Sequence, residues 1–224
     1  MIITIDGPAG SGKSAAAELL AQRMQVRHLD TGAMYRAVTL LAFNMGRLDQ
    51  HSDAAELGAI AARMNLAFDW NTHPAKIMLD GQDVSNAIRQ PEITALVQLA
   101  ADNTAVRAEL VRRQRSIAAA CRDLVTEGRD QGTLVFPDAD YKFFLDANIR
   151  ERVRRRLTEL TRKGLSIDER SLLADMMARD QRDHDRRVGA LKLAEDAIVL
   201  DTTTMTLPEV VDALVKRIGN KTHG

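Results

Sequence analysis

The stretch Met1–Ser14, MIITID followed by GPAGSGKS, limits what this chain can fold into more than any other. Six residues that are almost all apolar or β-branched lead into a glycine-rich turn and then an alanine-rich run, the context in which GxxxxGK[ST] is a phosphate-binding loop between strand and helix. Gly7, Gly10 and Gly12 let the backbone take positive φ and turn N–H groups inward, with no Cβ to keep a phosphate away. Pro8, Ala9 and Ser11 complete the turn, and Ala15 follows it into the helix. Unpaired N–H groups and the helix dipole at that N-terminus favour an anion. Lys13 is placed to reach the β- and γ-phosphates of a nucleotide, and the Ser14 hydroxyl to ligate Mg²⁺.

The 224 residues suit one compact domain with a modest insert and suffice for a buried core. With 31 basic and 31 acidic residues, the chain has no bulk charge to draw a polyanion, so nucleic acid is not an expected partner. One cysteine, Cys121, excludes an intrachain disulfide and a four-cysteine zinc site. The strand that begins at Met1 leaves no room for a signal peptide, and no apolar run approaches the roughly 20 residues of a membrane span. A cytoplasmic protein with no membrane partner is the expectation.

Along the chain, Ser14–Gln25 is helical by composition, and Val26–Asp30 is a short strand ending at Thr31-Gly32. Helices follow at Ala33–Met45 and over DAAELGAIAARM, where Asp53 is the expected N-cap. LAFDW and KIMLDGQDV then alternate, with Asp80-Gly81 as a hairpin turn, so a small antiparallel sheet is inserted among helices. Helices are expected from Pro91 to Ala101 and from Thr104 to Ala120. Beyond Cys121, LVTEG, YKFFLDA and AIVLDTT are buried parallel strands separated by a basic helix, IRERVRRRLTELTRKG, and a charged helix over 168–187. LPEVVDALVKRI closes the chain as an amphipathic helix. Strand and helix in alternation imply an α/β fold, a parallel sheet with helices on both faces.

A phosphate loop alone does not separate a GTPase from an ATPase or a small-molecule kinase. No DxxG is present, and the nearest match to NKxD, Asn220-Lys221-Thr222-His223, has the wrong fourth residue, which argues against a GTPase. The five histidines form no HxxxH or HxH pair, giving no histidine metal site. Arginine is abundant instead: Arg107, Arg112, Arg113 and Arg115 on one helix, Arg129 after a strand, Arg150, Arg152, Arg154, Arg155 and Arg156 on another helix, and Arg179, Arg182, Arg186 and Arg187 on a third. Each taken singly reads as a solvated face or an i,i+4 ion pair. Together they suit a phosphoryl transfer that gathers many phosphate charges in one place, where positioning and charge neutralisation are the protein's main task.

GPAGSGKS, LDTGAMYRA (29–37), LDGQDVSNAIR (79–89), VRAELVRRQR (106–115), EGRDQGTLVFPDA (127–139) and AEDAIVLDTT, in this order over nearly the whole chain, resemble the bacterial cytidylate kinases. The resemblance implies a phosphate-loop nucleoside-monophosphate-kinase fold as a single domain over residues 1–224. Its parts are a five-stranded parallel sheet, a monophosphate-binding insert at about 60–90, and an arginine-rich helical lid at about 148–190. It implies ATP with Mg²⁺ as donor, CMP or dCMP as acceptor, and a role in pyrimidine nucleotide metabolism. Thr31, Arg36, Arg107, Arg129 and Asp130 then line the CMP site, Arg107 and Asp130 near the base and Arg36 near the 5′-phosphate. Arg179, Asp183 and Arg186 match positions that hold the sugar and the transferring phosphates, so Lys13, Arg179 and Arg186 are the expected catalytic cations. Arg152 and Arg156 resemble lid arginines that close on ATP, and Glu127 and Asp130 are candidates to support Mg²⁺ from behind its ligands or else to pair with Arg129. The chain departs from the family pattern at Gln98, where a base-contacting serine is expected, at Asn103-Thr104-Ala105, which lacks a proline, and at Gly189-Ala190-Leu191 in place of Ala-Pro-Leu. Kinases of the same fold acting on UMP, AMP or a non-nucleotide, and a non-catalytic ATP-binding switch, stay open. With no long heptad or aromatic surface stripe, a monomer is expected.

Overall fold

The computed structural model describes residues 1–48, 54–162 and 164–219. Asp53, the expected N-cap, and the Asn220–His223 run lie outside the described residues. The strands are β1 (Ile2–Asp6), β2 (Arg27–Asp30), β3 (Leu66–Asp69), β4 (Lys76–Leu79), β5 (Gln82–Asp83), β6 (Leu124–Gly128), β7 (Tyr141–Asp146) and β8 (Ile198–Asp201). The helices are α1 (Lys13–Met24), α2 (Thr31–Asn44), α3 (Ala54–Arg63), α4 (Pro91–Asp102), α5 (Thr104–Ala119), α6 (Ile149–Arg162), α7 (Glu169–Asp185) and α8 (Leu207–Gly219). The larger sheet has five strands in the order β2-β6-β1-β7-β8, and the smaller has three, β3-β4-β5. The expected α/β fold, a five-stranded parallel sheet with a small antiparallel sheet, is therefore present.

Two compact units make up the chain, Met1–Val26 with Val125–Gly224, and Arg27–Leu124. In the first, β1 pairs in parallel with β7, Ile3 opposite Tyr141 and Ile5 opposite Phe143, and β7 with β8, Phe143 opposite Ile198. Ile3, Ile5, Val125, Phe143 and Leu145 from the strands pack with Ala16, Ala17 and Leu20 of α1 and with Val211 and Leu214 of α8. Alanine on α1 leaves room for the helix to lie close on the sheet, which carries the turn before it to the carboxyl ends of the strands, where α/β sheets bind ligands. A smaller apolar seam, Val153, Leu160, Leu172 and Met176, joins α6 to α7.

In the second unit, Leu66 lies opposite Leu79 in the antiparallel pair β3-β4, and the hairpin to β5 turns at Asp80 (φ 50°) and Gly81 (φ 81°). Positive φ at both central residues is the turn whose twist suits a two-residue hairpin, as Asp-Gly predicts. Helix α2 begins earlier than expected, at Thr31, because the Asp30 carboxylate accepts the Ala33 N–H at 2.9 Å and caps it. The proline-free Asn103 caps α5 in the same way, accepting from Ala105 and Val106 N–H at 3.0 Å. Helix α7 stops at Asp185, so Arg186 and Arg187 lie past its end and not on it. Arg186 adopts an extended backbone (ψ 131°) there.

Candidate active site

The turn Gly7–Gly12 leaves β1 and enters α1 as predicted, with φ of 153°, 77° and 88° at Gly7, Gly10 and Gly12. Gly7 is required by contact as well as by φ, since a Cβ there would stand 2.1 Å from the Leu145 carbonyl oxygen. Pro8, Ala9 and Ser11 are buried, whereas Gly10, Gly12, Ser14 and Ala15 are exposed along the rim. Lys13 is buried, and its Nζ donates to Pro8 O at 3.1 Å across the turn. Burial, with the nearby Arg129 and Arg179 cations, pushes the Lys13 amine down to about 7, against the opposing pull of Glu127 and Asp183. The Ser14 hydroxyl donates to Glu127 Oε1 at 2.9 Å. A hydroxyl backed by a carboxylate is an all-oxygen donor set suited to Mg²⁺, a cation that takes one or two protein oxygens and fills its other positions with phosphate and water. No cluster of three or more His, Cys, Asp or Glu able to hold a metal occurs among the described residues.

Asp6, the last residue of β1, accepts from the N–H groups of Gln131 (2.9 Å) and Gly132 (2.7 Å), binding the start of the π-helical turn Gln131–Val135 to the root of the phosphate loop. Burial pushes its carboxyl up to about 7, opposed by those two N–H groups. Asp130, itself buried, adds to the rise, and Lys13 counters it. Arg152 is buried against the loop, donating to Ala9 O (3.0 Å), Ala147 O (3.0 Å) and Asp180 Oδ2 (2.6 Å). Arg155 reaches Ser11 O at 3.5 Å and Thr202 Oγ1 at 3.2 Å, steadied by Glu151 at 2.9 Å. Arg156, paired with Arg152 in the sequence reading, instead bonds Glu159 at 2.6 Å on the same helix.

Asp183, with its side chain 4% exposed, is the anion around which the other arginines gather, accepting from Arg129 Nε at 2.7 Å and Arg186 Nη2 at 2.6 Å. Burial alone would raise its carboxyl, yet Arg129, Arg186 and Arg179 outweigh that and hold it at about 2. Lys13, Arg129, Arg179 and Arg186 thus share one electrostatic neighbourhood, in which Asp183 and Glu127 supply the balancing charge. Oxygen-rich anions are what such a group can hold, by charge-assisted hydrogen bonds from guanidinium forks and an ammonium point charge. The solvated-face reading holds for the exposed Arg112 and Arg154, each paired at 2.7 Å with a glutamate three residues before it.

In the second unit Thr31 is buried at the start of α2, and Arg36 donates to Ile88 O at 3.2 Å and Thr94 Oγ1 at 2.8 Å. Arg107, 2% exposed, lies over the Tyr35 ring at 5.4 Å and donates to Ala101 O at 3.0 Å. The Gln98 Oε1 atom is buried with no hydrogen-bond partner among the described residues. Asp6, Asp180 and Thr202, which help hold the first unit's site together, are not singled out by the sequence, and Arg155 enters it only as one of a run of arginines on its helix. Of the first three, Asp6 alone has a local signal, as an acid ending an otherwise apolar strand directly before Gly7.

Likeness to solved structures is one of fold. A Thermus thermophilus protein superposes with a TM-score of 0.51 at 20% identity, over 100% of this chain and 98% of its own. An uncharacterized protein from Eubacterium ventriosum does so with a TM-score of 0.53 at 13% identity, over 98% of each. Sequence relatives are nearer. A Vibrio cholerae cytidylate kinase is 41% identical over 98% of this chain and 96% of its own length. The cytidylate kinase of Azotobacter vinelandii is 43% identical over 97% and 95%. A Synechococcus bifunctional pantoate ligase/cytidylate kinase is 45% identical over 96% of this chain, which spans 40% of that longer protein. With relatives of this kind over almost its whole length, and with the family model described as cytidylate kinase matching residues 3–220, the chain belongs to the cytidylate kinase family.

Proposed function

We propose that the protein transfers the γ-phosphoryl group of ATP to CMP or dCMP, giving ADP and CDP or dCDP. The observation that carries this reading is the cation group Lys13, Arg129, Arg179 and Arg186 held around Asp183 in the unit that bears the phosphate loop. An oxygen of the acceptor's 5′-phosphate attacks the γ-phosphorus as the bond to the β-bridging oxygen breaks, and the leaving electron pair stays on ADP. That acceptor is largely ionised at neutral pH, so no side chain has to remove a proton, in keeping with a site built of cations. Lys13 neutralises the donor's β- and γ-oxygens, while Arg179 and Arg186 meet the charge that develops on the transferring group. Ser14, with Glu127 behind it, would hold Mg²⁺, which would further neutralise the donor phosphates.

Thr31, Arg36, Arg107, Arg129, Asp130 and Asp183 are the residues we assign to CMP. Residues of about 60–90 serve as the monophosphate-binding insert and about 148–190 as a lid that excludes water from the donor phosphates. The protein works as a cytoplasmic monomer. A second reading, that UMP is accepted as well, is favoured by Gln98, whose amide both donates and accepts and whose buried oxygen lacks a partner among the described residues. Coupled measurement of ADP release with CMP, dCMP, UMP and AMP tests both. Turnover is expected with CMP and dCMP, and Lys13→Ala should abolish it without loss of fold. ATP loss that ignores the acceptor would refute the transferase reading.

A further inference from the structure

Thr202 follows β8 and, at 1% exposure, lies out of reach of solvent. Its N–H donates to Asp146 O at 2.8 Å, closing the end of β8 on β7. Its hydroxyl stands 3.1 Å from Ser11 O in the phosphate loop and 3.0 Å from Asp146 O, and takes a bond from Arg155 Nη1 at 3.2 Å. A hydroxyl has one proton to give. Asp146 O already accepts the Thr202 N–H, so Ser11 O is the carbonyl whose partner depends on that proton. Arg155, the other donor to Ser11 O, stands at the long distance of 3.5 Å and spends its second terminal nitrogen on the Thr202 and Thr203 carbonyls.

The peptide plane turns this contact into a directional constraint. In a trans peptide the C=O of one residue and the N–H of the next point in opposite directions. Fixing Ser11 C=O on Thr202 therefore aims the Gly12 N–H away from Thr202, although Gly12, at φ 88° and with a Cβ position that meets nothing closer than Arg155 at 3.8 Å, has freedom to turn. A phosphate-binding turn depends on N–H groups that already point the right way before the anion arrives.

We infer that Thr202 is a positioning residue for the donor nucleotide: its hydroxyl, oriented by Arg155, holds the Ser11–Gly12 peptide so that the Gly12 N–H is presented to phosphate. The inference rests on the proposed ATP site and is specific to the donor. Thr202→Val keeps the shape and removes the proton, leaving a buried carbonyl without its best donor, while Thr202→Ser keeps the hydroxyl.

Full-length wild type, Thr202→Val and Thr202→Ser are compared by calorimetric titration with ATP and Mg²⁺, and by initial rates with ATP and CMP varied separately. Thr202→Val should weaken ATP binding about tenfold and raise the ATP KM in step, a loss typical of one buried hydrogen bond. The CMP KM should stay within about twofold, and Thr202→Ser should stay near wild type in both. A Thr202→Val protein that binds ATP as wild type does, or one that loses ATP and CMP equally, overturns the inference. If Thr202→Val does not fold, Thr202→Cys, with its weak S–H donor, takes its place; unchanged ATP affinity there overturns it too. Wild type that binds no ATP would overturn the proposed function itself, and this inference with it.

Discussion

Asp183→Asn is the substitution whose consequences the structure defines most sharply. The change keeps volume and one acceptor oxygen but deletes the charge that Arg129 and Arg186 contact at 2.7 and 2.6 Å. In the wild type the carboxyl sits at about 2 against a usual 3.8, and at 1.36 kcal/mol per unit this lends the folded protein about 2 kcal/mol. Loss of one partner of a buried pair, with the guanidinium groups left uncompensated, sets the upper side at about 3–5 kcal/mol. The variant should therefore lose about 3 kcal/mol at pH 7, read as a Tm lower by about 6–12 °C for a chain of this size. Because the folded pKa is depressed, that stability is fully present above the unfolded value of 3.8 and disappears as pH falls from there through about 2. Thermal or urea melts of both proteins should therefore differ at pH 7 and converge toward pH 2. Inorganic phosphate should restore part of the variant's loss, since an anion supplied from solution replaces the deleted one, and should raise its Tm more than that of wild type. A loss under about 0.5 kcal/mol at pH 7, or a gap as large at the acid end as at neutrality, would refute the idea that Asp183 holds these arginines together by charge.

Lys13, pushed down to about 7 by burial first and then by Arg129 and Arg179, should take up a proton when a triphosphate brings negative charge beside it. Titrations with ATP at pH 8, in buffers of different ionisation enthalpy, should show uptake of close to one proton, and heats independent of buffer would contradict it. In the free protein the same depressed amine makes the unfolded chain bind the extra proton between about 7 and 10.5, so this group's contribution to stability rises with pH across that window. Gly7→Ala, whose Cβ would lie 2.1 Å from Leu145 O, should cost about 3 kcal/mol of stability and most of the turnover, because the loop cannot approach β7 unless one backbone moves. A soluble Gly7→Ala protein with wild-type melting and rate would overturn that reading.

The elements formed by local chemistry were legible in the chain from the start. Hydrophobic runs marked β6, β7 and β8, Asp80-Gly81 marked its hairpin, and Pro91 marked the first turn of α4. The phosphate loop was legible for the same reason, since its glycines, lysine and serine act through neighbours in sequence. Arginine was where local reading stopped: Arg154, Arg155 and Arg156 are adjacent and alike on paper. One pairs on the surface with Glu151, one reaches Ser11 and Thr202, and one pairs with Glu159. A helix turns about 100° per residue, so three neighbours face three environments, and only packing decides which faces the loop. The contacts that shape the site join residues far apart in the chain, Asp6 to Gln131, Arg129 to Asp183, Arg152 to Ala9 and Thr202 to Ser11. By itself the sequence determined that a glycine-rich turn carrying a lysine and a serine would join β1 to α1; the tertiary structure alone decided which charges surround that turn, because a parallel sheet brings strand ends together from distant segments of chain.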